Sequence, residues 1–241
     1  MNVILDIDET FVQYVGHEDW ATLPPAEQAK YETGGSGPDG LFILRPKFTE
    51  FFQFLTKNCK SISLWTWSDA DYAMIVKKMI EQKVPGTKIS NVWSESDVGA
   101  SIEMNGKNKD LNYIWYEVGK FQPCDTILVD DLPKNTQNTS NVKNGIQIAP
   151  FHPLGEKQRQ GPKKIRTNIY SDLSNDDVLM QVAAKIKEAQ DASDFCEEGD
   201  LPHPFPKPVI IGMSGGRRRK TRRHNPKHKT RRSRFVKNGR N

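Results

Sequence analysis

The 241-residue chain carries 35 Lys and Arg against 30 Asp and Glu, 36% hydrophobic residues and a mean hydropathy of −0.68. This length suits one substantial domain with tails. The hydropathy leaves no window near the roughly 18 consecutive apolar residues of a membrane span, which excludes a transmembrane protein and any membrane partner. The opening MNVILDIDET is interrupted by acids and followed by no small-residue cleavage site, so it is not a secretory signal, and an intracellular location, nuclear or cytoplasmic, is expected. Cys59, Cys124 and Cys196 lack zinc-ligand spacing and are too few for a disulfide framework, so they read as ordinary thiols. The net charge of +5 hides a division: residues 214–241 hold 13 Lys or Arg and no acid, leaving 22 basic against 30 acidic side chains before them.

In chain order, Val3 to Ile7 is a short apolar run ending in acids, as in a buried parallel strand whose carboxyl end carries function. Gly16 to Gly40 is polar and rich in Gly and Pro, and predicts a long loop with a turn of helix near Ala26 to Tyr31. Leu41 to Leu44 forms a short strand. Pro46 then sits at a helix start, and Phe48, Phe51, Phe52 and Leu55 give an apolar stripe. Ser61 to Trp67 reads as a strand, followed by a helix capped by Ser68 or Asp69 with Tyr72, Ile75, Val76 and Met79 inward.

Ile89 to Trp93 is another strand. Ser94 to Lys107 predicts irregular chain or a hairpin turning at Asn105-Gly106. Leu111, Ile114, Trp115 and Val118 mark a helix, and Thr126 to Val129 a strand ending in Asp130-Asp131. A last strand at Ile146 to Ala149 and a helix after Ser174, with Leu179, Val182, Ala183 and Ile186 inward, complete the unit. The alternation indicates an α/β fold with a mainly parallel central sheet over residues 1–192. A Pro-rich linker at 193–213 and a disordered Arg/Lys-rich tail at 214–241 follow, the tail having too little apolar content to bury a core.

In such folds chemistry collects at the carboxyl ends of strands. Three ends stand out: Asp6-Ile7-Asp8-Glu9-Thr10, Trp65-Thr66-Trp67-Ser68 and Asp130-Asp131-Leu132-Pro133, with Lys109 between the last two. Acids crowded into one volume demand a cation, and an oxygen-only donor set suits Mg2+, which engages phosphates. Lys109 and the Thr66 hydroxyl supply what the remaining oxygens of a phosphate need. Together these residues describe phosphoryl transfer.

This ordered set resembles the four motifs of the haloacid dehalogenase (HAD) superfamily of phosphatases. LRPKFTEFFQFL, WTWSDADYA, NKDL and VDDLP are similar to its branch of RNA polymerase II carboxy-terminal-domain phosphatases and NLI-interacting-factor-like proteins. The resemblance, over about Asn2 to Gln190, implies a HAD-like Rossmannoid three-layer fold and a Mg2+-dependent phosphatase. It implies Asp6 as nucleophile, forming an aspartyl phosphate, and Asp8 as general acid and base. It implies Thr66 and Lys109 as phosphate-binding residues, and a metal held by Asp6, the Asp8 backbone carbonyl and the Asp130-Asp131 pair, with either of that pair as the direct ligand. Leu132 and Trp67 stand where the family often has serine and alanine, which touches substrate contacts more than core chemistry.

The expected substrate is a phosphoprotein carrying phosphoserine or phosphothreonine. The tail at 214–241 adds an expected non-specific nucleic-acid contact through counterion release. It also keeps two alternatives in play: a nucleic-acid end phosphatase, and an inactive, nucleic-acid-tethered binding protein. Arg45 is read as pairing with the acidic surface, with facing the site as the alternative, Lys107 as a rival to Lys109, and Trp65, Trp67, Trp93 and Trp115 as core or pocket-rim residues.

Overall fold

The fold is described from a computed structural model of the chain, over residues 1–37, 39–138, 141, 143–154, 157–160, 163–166, 173 and 175–192. Its elements are β1 (Asn2–Leu5), β2 (Val12–Gly16), α1 (His17–Ala21), α2 (Pro25–Gln28), β3 (Thr33–Ser36), β4 (Gly40–Leu44), α3 (Phe48–Asn58), β5 (Ser61–Trp65), α4 (Ala70–Lys83), β6 (Ile89–Trp93), α5 (Glu95–Asn105), β7 (Thr126–Asp130), α6 (Pro133–Thr136), β8 (Gly145–Gln147), β9 (Lys157–Gln160), β10 (Lys163–Arg166) and α7 (Val178–Asp191). The expected linker and basic tail, and the Ser174 helix cap, lie outside the described residues.

Five strands form a parallel sheet in the order β6-β5-β1-β7-β8. Successive side chains of a strand point to opposite faces, and β1 shows the result. Val3 and Leu5 enter one core with Phe48, Phe52, Val76, Leu179 and Val182, while Ile4 enters a second with Trp65, Trp93, Val98, Leu111 and Ile114. Helices α3, α4 and α7 therefore cover one face, and α5 with the turn after it the other, giving three layers around a strand that is wholly buried. The stripe predicted for α3 is buried, and its Phe48 and Phe52 rings lie 4.7 Å apart, with Phe11 at 5.3 Å from Phe52.

Strand β1 leads outward to β5 and β6 on one side, and the chain returns to build β7 and β8 on the other. The order reverses between β1 and β7, which is where an open α/β sheet leaves its ligand crevice.

Three segments depart from the sequence expectation. The predicted loop at 16–40 contains α1, α2 and β3, and β2, β4 and β3 make a separate antiparallel sheet in the order β2-β4-β3. The Thr-Gly-Gly-Ser strand β3 has almost no side chains to show a period. A Cβ on Gly34 would sit 2.3 Å from Met79 Sδ, so a larger residue there would require the Met79 side chain to shift. The segment after Ser94 is the helix α5, opened by a Ser94/Asp97 capping box and closed by Gly106 at φ +69°. Only Val98 and Ser101 of α5 are buried, too narrow a stripe to reveal helical period, and the Asn105-Gly106 pair is a helix end rather than a hairpin turn. The helix expected around Leu111 to Val118 is present over 111–117, but its Tyr113–Glu117 part is a π-helical turn.

Candidate active site

The reversal point is lined by the residues singled out above. Asp6 follows β1, and its backbone N–H donates to Val129 O at 2.9 Å, so the chain stays in register with β7 one residue beyond the ladder. Asp130 ends β7 and Asp131 follows it. One carboxylate oxygen from each of Asp6, Asp130 and Asp131 lies within 4.8 Å of the others, and all three residues are buried. Thr66 follows β5 and is buried, and Asp8 is reached from it by a 3.4 Å hydrogen bond.

Lys109, 1% exposed, is the cation in direct contact with these acids, while the buried Arg45 acts on Asp131 electrostatically. Its Nζ donates to Asp6 Oδ1 and, at 2.9 Å, to Asp130 Oδ2. Burial alone would lower its pKa, but Asp130 and Asp6 hold it above the ordinary lysine value. Lys107 stands outside, 3.9 Å from Asp110. Thr10 Oγ1 donates to Asp6 Oδ2 at 3.1 Å. Burial raises the Asp6 pKa well above the carboxylate range, with Lys109 opposing and the negative charges of Asp130 and Asp8 reinforcing the rise. Asp131 is pushed up to about 7, first by burial and then by Asp130 and Glu9.

The two neighbouring acids at the end of β7 are differently engaged. Asp130 accepts from Leu132 N at 2.8 Å and from Asn135 Nδ2 at 2.9 Å as well as from Lys109, whereas Asp131 accepts from none of these three. Asp8 is held by a separate group: Tyr72 Oη donates to Oδ1, and Ser68 Oγ at 3.1 Å and Thr66 Oγ1 donate to Oδ2. Burial raises the Asp8 pKa against these hydrogen bonds.

Two of the non-glycine residues at positive φ are at the site, Glu9 at 60° and Lys109 at 43°. Such positions persist only where neighbours hold them. At Lys109 the holder is Asn141, whose Nδ2 donates to Lys109 O and Asn135 O at 2.6 Å, and whose Oδ1 accepts from Leu111 N at 2.8 Å.

Four acids against one lysine leave an excess of negative charge, and the donors are all oxygen. That set fits a hard divalent cation such as Mg2+, and Asp131, outside the lysine clasp, is the carboxylate freest to ligate it.

All six sequence candidates, Asp6, Asp8, Thr66, Lys109, Asp130 and Asp131, thus come together. Missed by the sequence reading were Tyr72, taken for a core residue, Ser68, taken for a helix cap, and the buried amides Asn135 and Asn141. The helix cap is Asp69, which accepts from Tyr72 N at 2.7 Å. Arg45 is not a surface residue: it is 2% exposed, pairs with Asp176 at 3.1 Å, and donates to Thr10 O and Ala149 O at 3.0 and 2.9 Å. It clamps the turn after Asp8 to the approach to α7. Trp65 and Trp93 are buried, while Trp67 is 42% exposed with Lys134 Nζ 5.6 Å above its ring.

A family model described as NLI interacting factor-like phosphatase matches residues 1–194. The chain belongs to this family. The match takes in every candidate residue above, from Asp6 to Asp131. Among solved structures, Fcp1, an essential RNA polymerase II CTD phosphatase, is 16% identical, covering 79% of this chain and 48% of its own, with a TM-score of 0.48. The fission yeast Fcp1 bound to beryllium fluoride is 18% identical over 78% of this chain and 50% of its own, with a TM-score of 0.47. A 3-deoxy-D-manno-octulosonate 8-phosphate phosphatase from Moraxella catarrhalis, in complex with magnesium and phosphate ions, is 11% identical over 61% and 66%, with a TM-score of 0.34. The chain spans about half the length of the two Fcp1 structures. No curated protein matches the sequence. Among the described residues, no helix is long and apolar enough to cross a membrane.

Proposed function

We propose that the chain is a Mg2+-dependent phosphomonoester hydrolase that removes phosphate from serine or threonine of a protein through an aspartyl phosphate. The observation that carries this reading is the meeting of Asp6, Asp130 and Asp131 at the β1/β7 reversal point, with Lys109 clasping two of them.

In this reading a carboxylate oxygen of Asp6 attacks phosphorus as the bond to the leaving oxygen breaks. Asp8 gives that oxygen its proton, a role suited to an acid whose pKa burial has raised. Asp8 then takes a proton from the water that attacks the phosphoenzyme, which frees inorganic phosphate and Asp6. Thr66 and Lys109 hold the phosphoryl oxygens, and Asp130 orients Lys109. Asp6, Asp131 and the Asp8 carbonyl would hold Mg2+, which when bound would neutralise the phosphoryl charge.

Tyr72 acts through Asp8 as a positioning residue. Its hydroxyl favours ionised Asp8, so Tyr72→Phe is expected to move the alkaline limb of the pH–rate profile upward. It is also expected to lower kcat about 10- to 100-fold, the worth of a hydrogen bond to a charged group. The loss should be smaller for an aryl phosphate, whose leaving group needs little protonation. An unmoved limb would remove Tyr72 from this role.

Protons and Mg2+ compete for Asp131. Its folded pKa of about 7 lies above the unfolded value, so without metal the folded state binds the extra proton between about pH 4 and 7, and stability falls as pH rises through that window. Added Mg2+ takes the proton's place, so its stabilisation should grow from pH 5 to pH 8. Thermal melts with and without Mg2+ read this directly, and a gain independent of pH contradicts the assignment.

The function itself is tested by offering the full chain phosphoserine and phosphothreonine peptides beside 3′- and 5′-phosphorylated oligonucleotides, with Mg2+ or with EDTA. Peptide hydrolysis that EDTA abolishes is the expected result. Hydrolysis of the oligonucleotides alone overturns the protein substrate, and no hydrolysis of either overturns the enzyme.

A further inference from the structure

Lys109 reaches the acids from a backbone conformation that a residue with a Cβ disfavours, at φ 43°. Two polar side chains from separate parts of the chain hold that turn. Ser101, on α5, donates its hydroxyl to Lys107 O at 3.0 Å and accepts from Asp110 N at 2.9 Å. Asn141, between α6 and β8, donates from Nδ2 to Lys109 O at 2.6 Å and accepts at Oδ1 from Leu111 N at 2.8 Å. Both side chains belong to residues 0% exposed, so water does not compete for these bonds.

The hold extends to the acids. Asn141 Nδ2 also donates to Asn135 O at 2.6 Å, and the Asn135 amide donates to both carboxylate oxygens of Asp130 at 2.9 Å. Asp130 in turn accepts from Lys109 Nζ. Lys109 is therefore tied to Asp130 twice, directly at Nζ and from its carbonyl by way of Asn141 and Asn135.

We propose that Asn141, with Ser101 on the other side of the turn, is a positioning residue that sets where the Lys109 ammonium meets the phosphoryl group. The inference rests on the phosphatase reading and adds to it the residues that aim its phosphate-binding lysine. A lysine stem is flexible, and before substrate binds the ion pairs to Asp6 and Asp130 are enough to keep Nζ in place. Turnover takes one of them away. As Asp6 bonds to phosphorus, Nζ turns from the Asp6 carboxylate to the phosphoryl oxygens, and its remaining holds are Asp130 and its own backbone. An anchor on that backbone counts for more in the transition state than before it, and such an anchor acts on kcat.

The test is a double-mutant cycle of Asn141→Ala with Lys109→Met in the full chain, reading kcat and KM with Mg2+ on an aryl phosphate and on a phosphoserine peptide. Asn141→Ala should lower kcat about 10- to 100-fold, as a shift of about 1 Å at a reacting centre does, with KM little changed. The loss should be the same for both substrates, because Lys109 meets the phosphoryl group and not the leaving group. The alkaline limb of the pH–rate profile should stay in place, which separates Asn141 from Tyr72. In the Lys109→Met background the same substitution should cost nothing further, since the group it aims is gone. Ser101→Ala, which releases the other side of the turn, should repeat this pattern and carries the test if Asn141→Ala does not fold.

Losses that multiply in the Lys109→Met background overturn the proposal and leave Asn141 a structural residue. Parental kcat in both Asn141→Ala and Ser101→Ala overturns it as well. A loss confined to the peptide moves Asn141 to the leaving-group side and overturns its action through Lys109. No turnover of either substrate by the parent is a different failure: it overturns the phosphatase reading itself, and this inference with it, before any variant is compared.

Discussion

Replacing Asp6 by asparagine will lower kcat toward an aryl phosphate by at least about 10⁴-fold, because the substitution removes the attacking oxygen of the first half-reaction and with it the phosphoenzyme that water attacks in the second. Asparagine has the same shape and lacks the charge. In a pocket where burial, Asp130 and Asp8 together oppose ionisation of Asp6 more than Lys109 favours it, loss of the charge relieves repulsion while Asp130 still partners Lys109. The Asp6→Asn protein should therefore fold and melt no lower than the parent. Activity and stability move apart, which distinguishes loss of the nucleophile from loss of structure. Turnover at the parental rate would remove Asp6 from the nucleophile's role.

Replacing Lys109 by methionine should act on both quantities. The ammonium is fully buried between Asp6 and Asp130, and removing one partner of a buried ion pair costs about 3–5 kcal/mol because the remaining charges are left uncompensated. A loss of that size is a large share of the roughly 5–15 kcal/mol that holds a domain folded. Because the folded pKa of Lys109 is raised above its unfolded value, its contribution is fully present below the unfolded pKa and is lost only as pH rises through the folded one, in strong alkali. The destabilisation should therefore be complete at neutral pH in urea titration. It should shrink in acid, where protonation of the carboxylates removes the repulsion. Mg2+ should restore part of the stability but little of the activity, since the phosphoryl oxygens lose a donor that the metal does not replace.

The sheet and its chemistry were legible because they are written locally. A short apolar run ending in acids, as in Val3 to Asp8 and Thr126 to Asp131, marks both a buried parallel strand and the place where its chemistry begins. The same locality explains what stayed hidden. Strand β3 is a strand only because β4 lies beside it, and its glycines carry no pattern. Helix α5 buries too little of itself to show a period.

At the site, Tyr72 falls on the apolar stripe of α4, and periodicity tells only that such a residue points inward. That its hydroxyl meets Asp8 follows from the distance between β1 and α4 in the folded chain, a relation across 64 residues. Asn135 and Asn141 are polar residues in a polar stretch, and their roles appear only when Asp130 and the backbone of Lys109 are brought against them. The Arg45 clamp is likewise a product of closure, joining Thr10, Ala149 and Asp176.

The most direct measurement is mass spectrometry of the full chain, quenched in acid during turnover of a phosphomonoester with Mg2+. A phosphoryl adduct should be found on Asp6, absent from the Asp6→Asn protein and, with an aryl phosphate whose leaving group needs little protonation, accumulating in Asp8→Asn, where water is no longer activated. An adduct on another residue, or steady turnover with Asp6 never modified, would contradict the account.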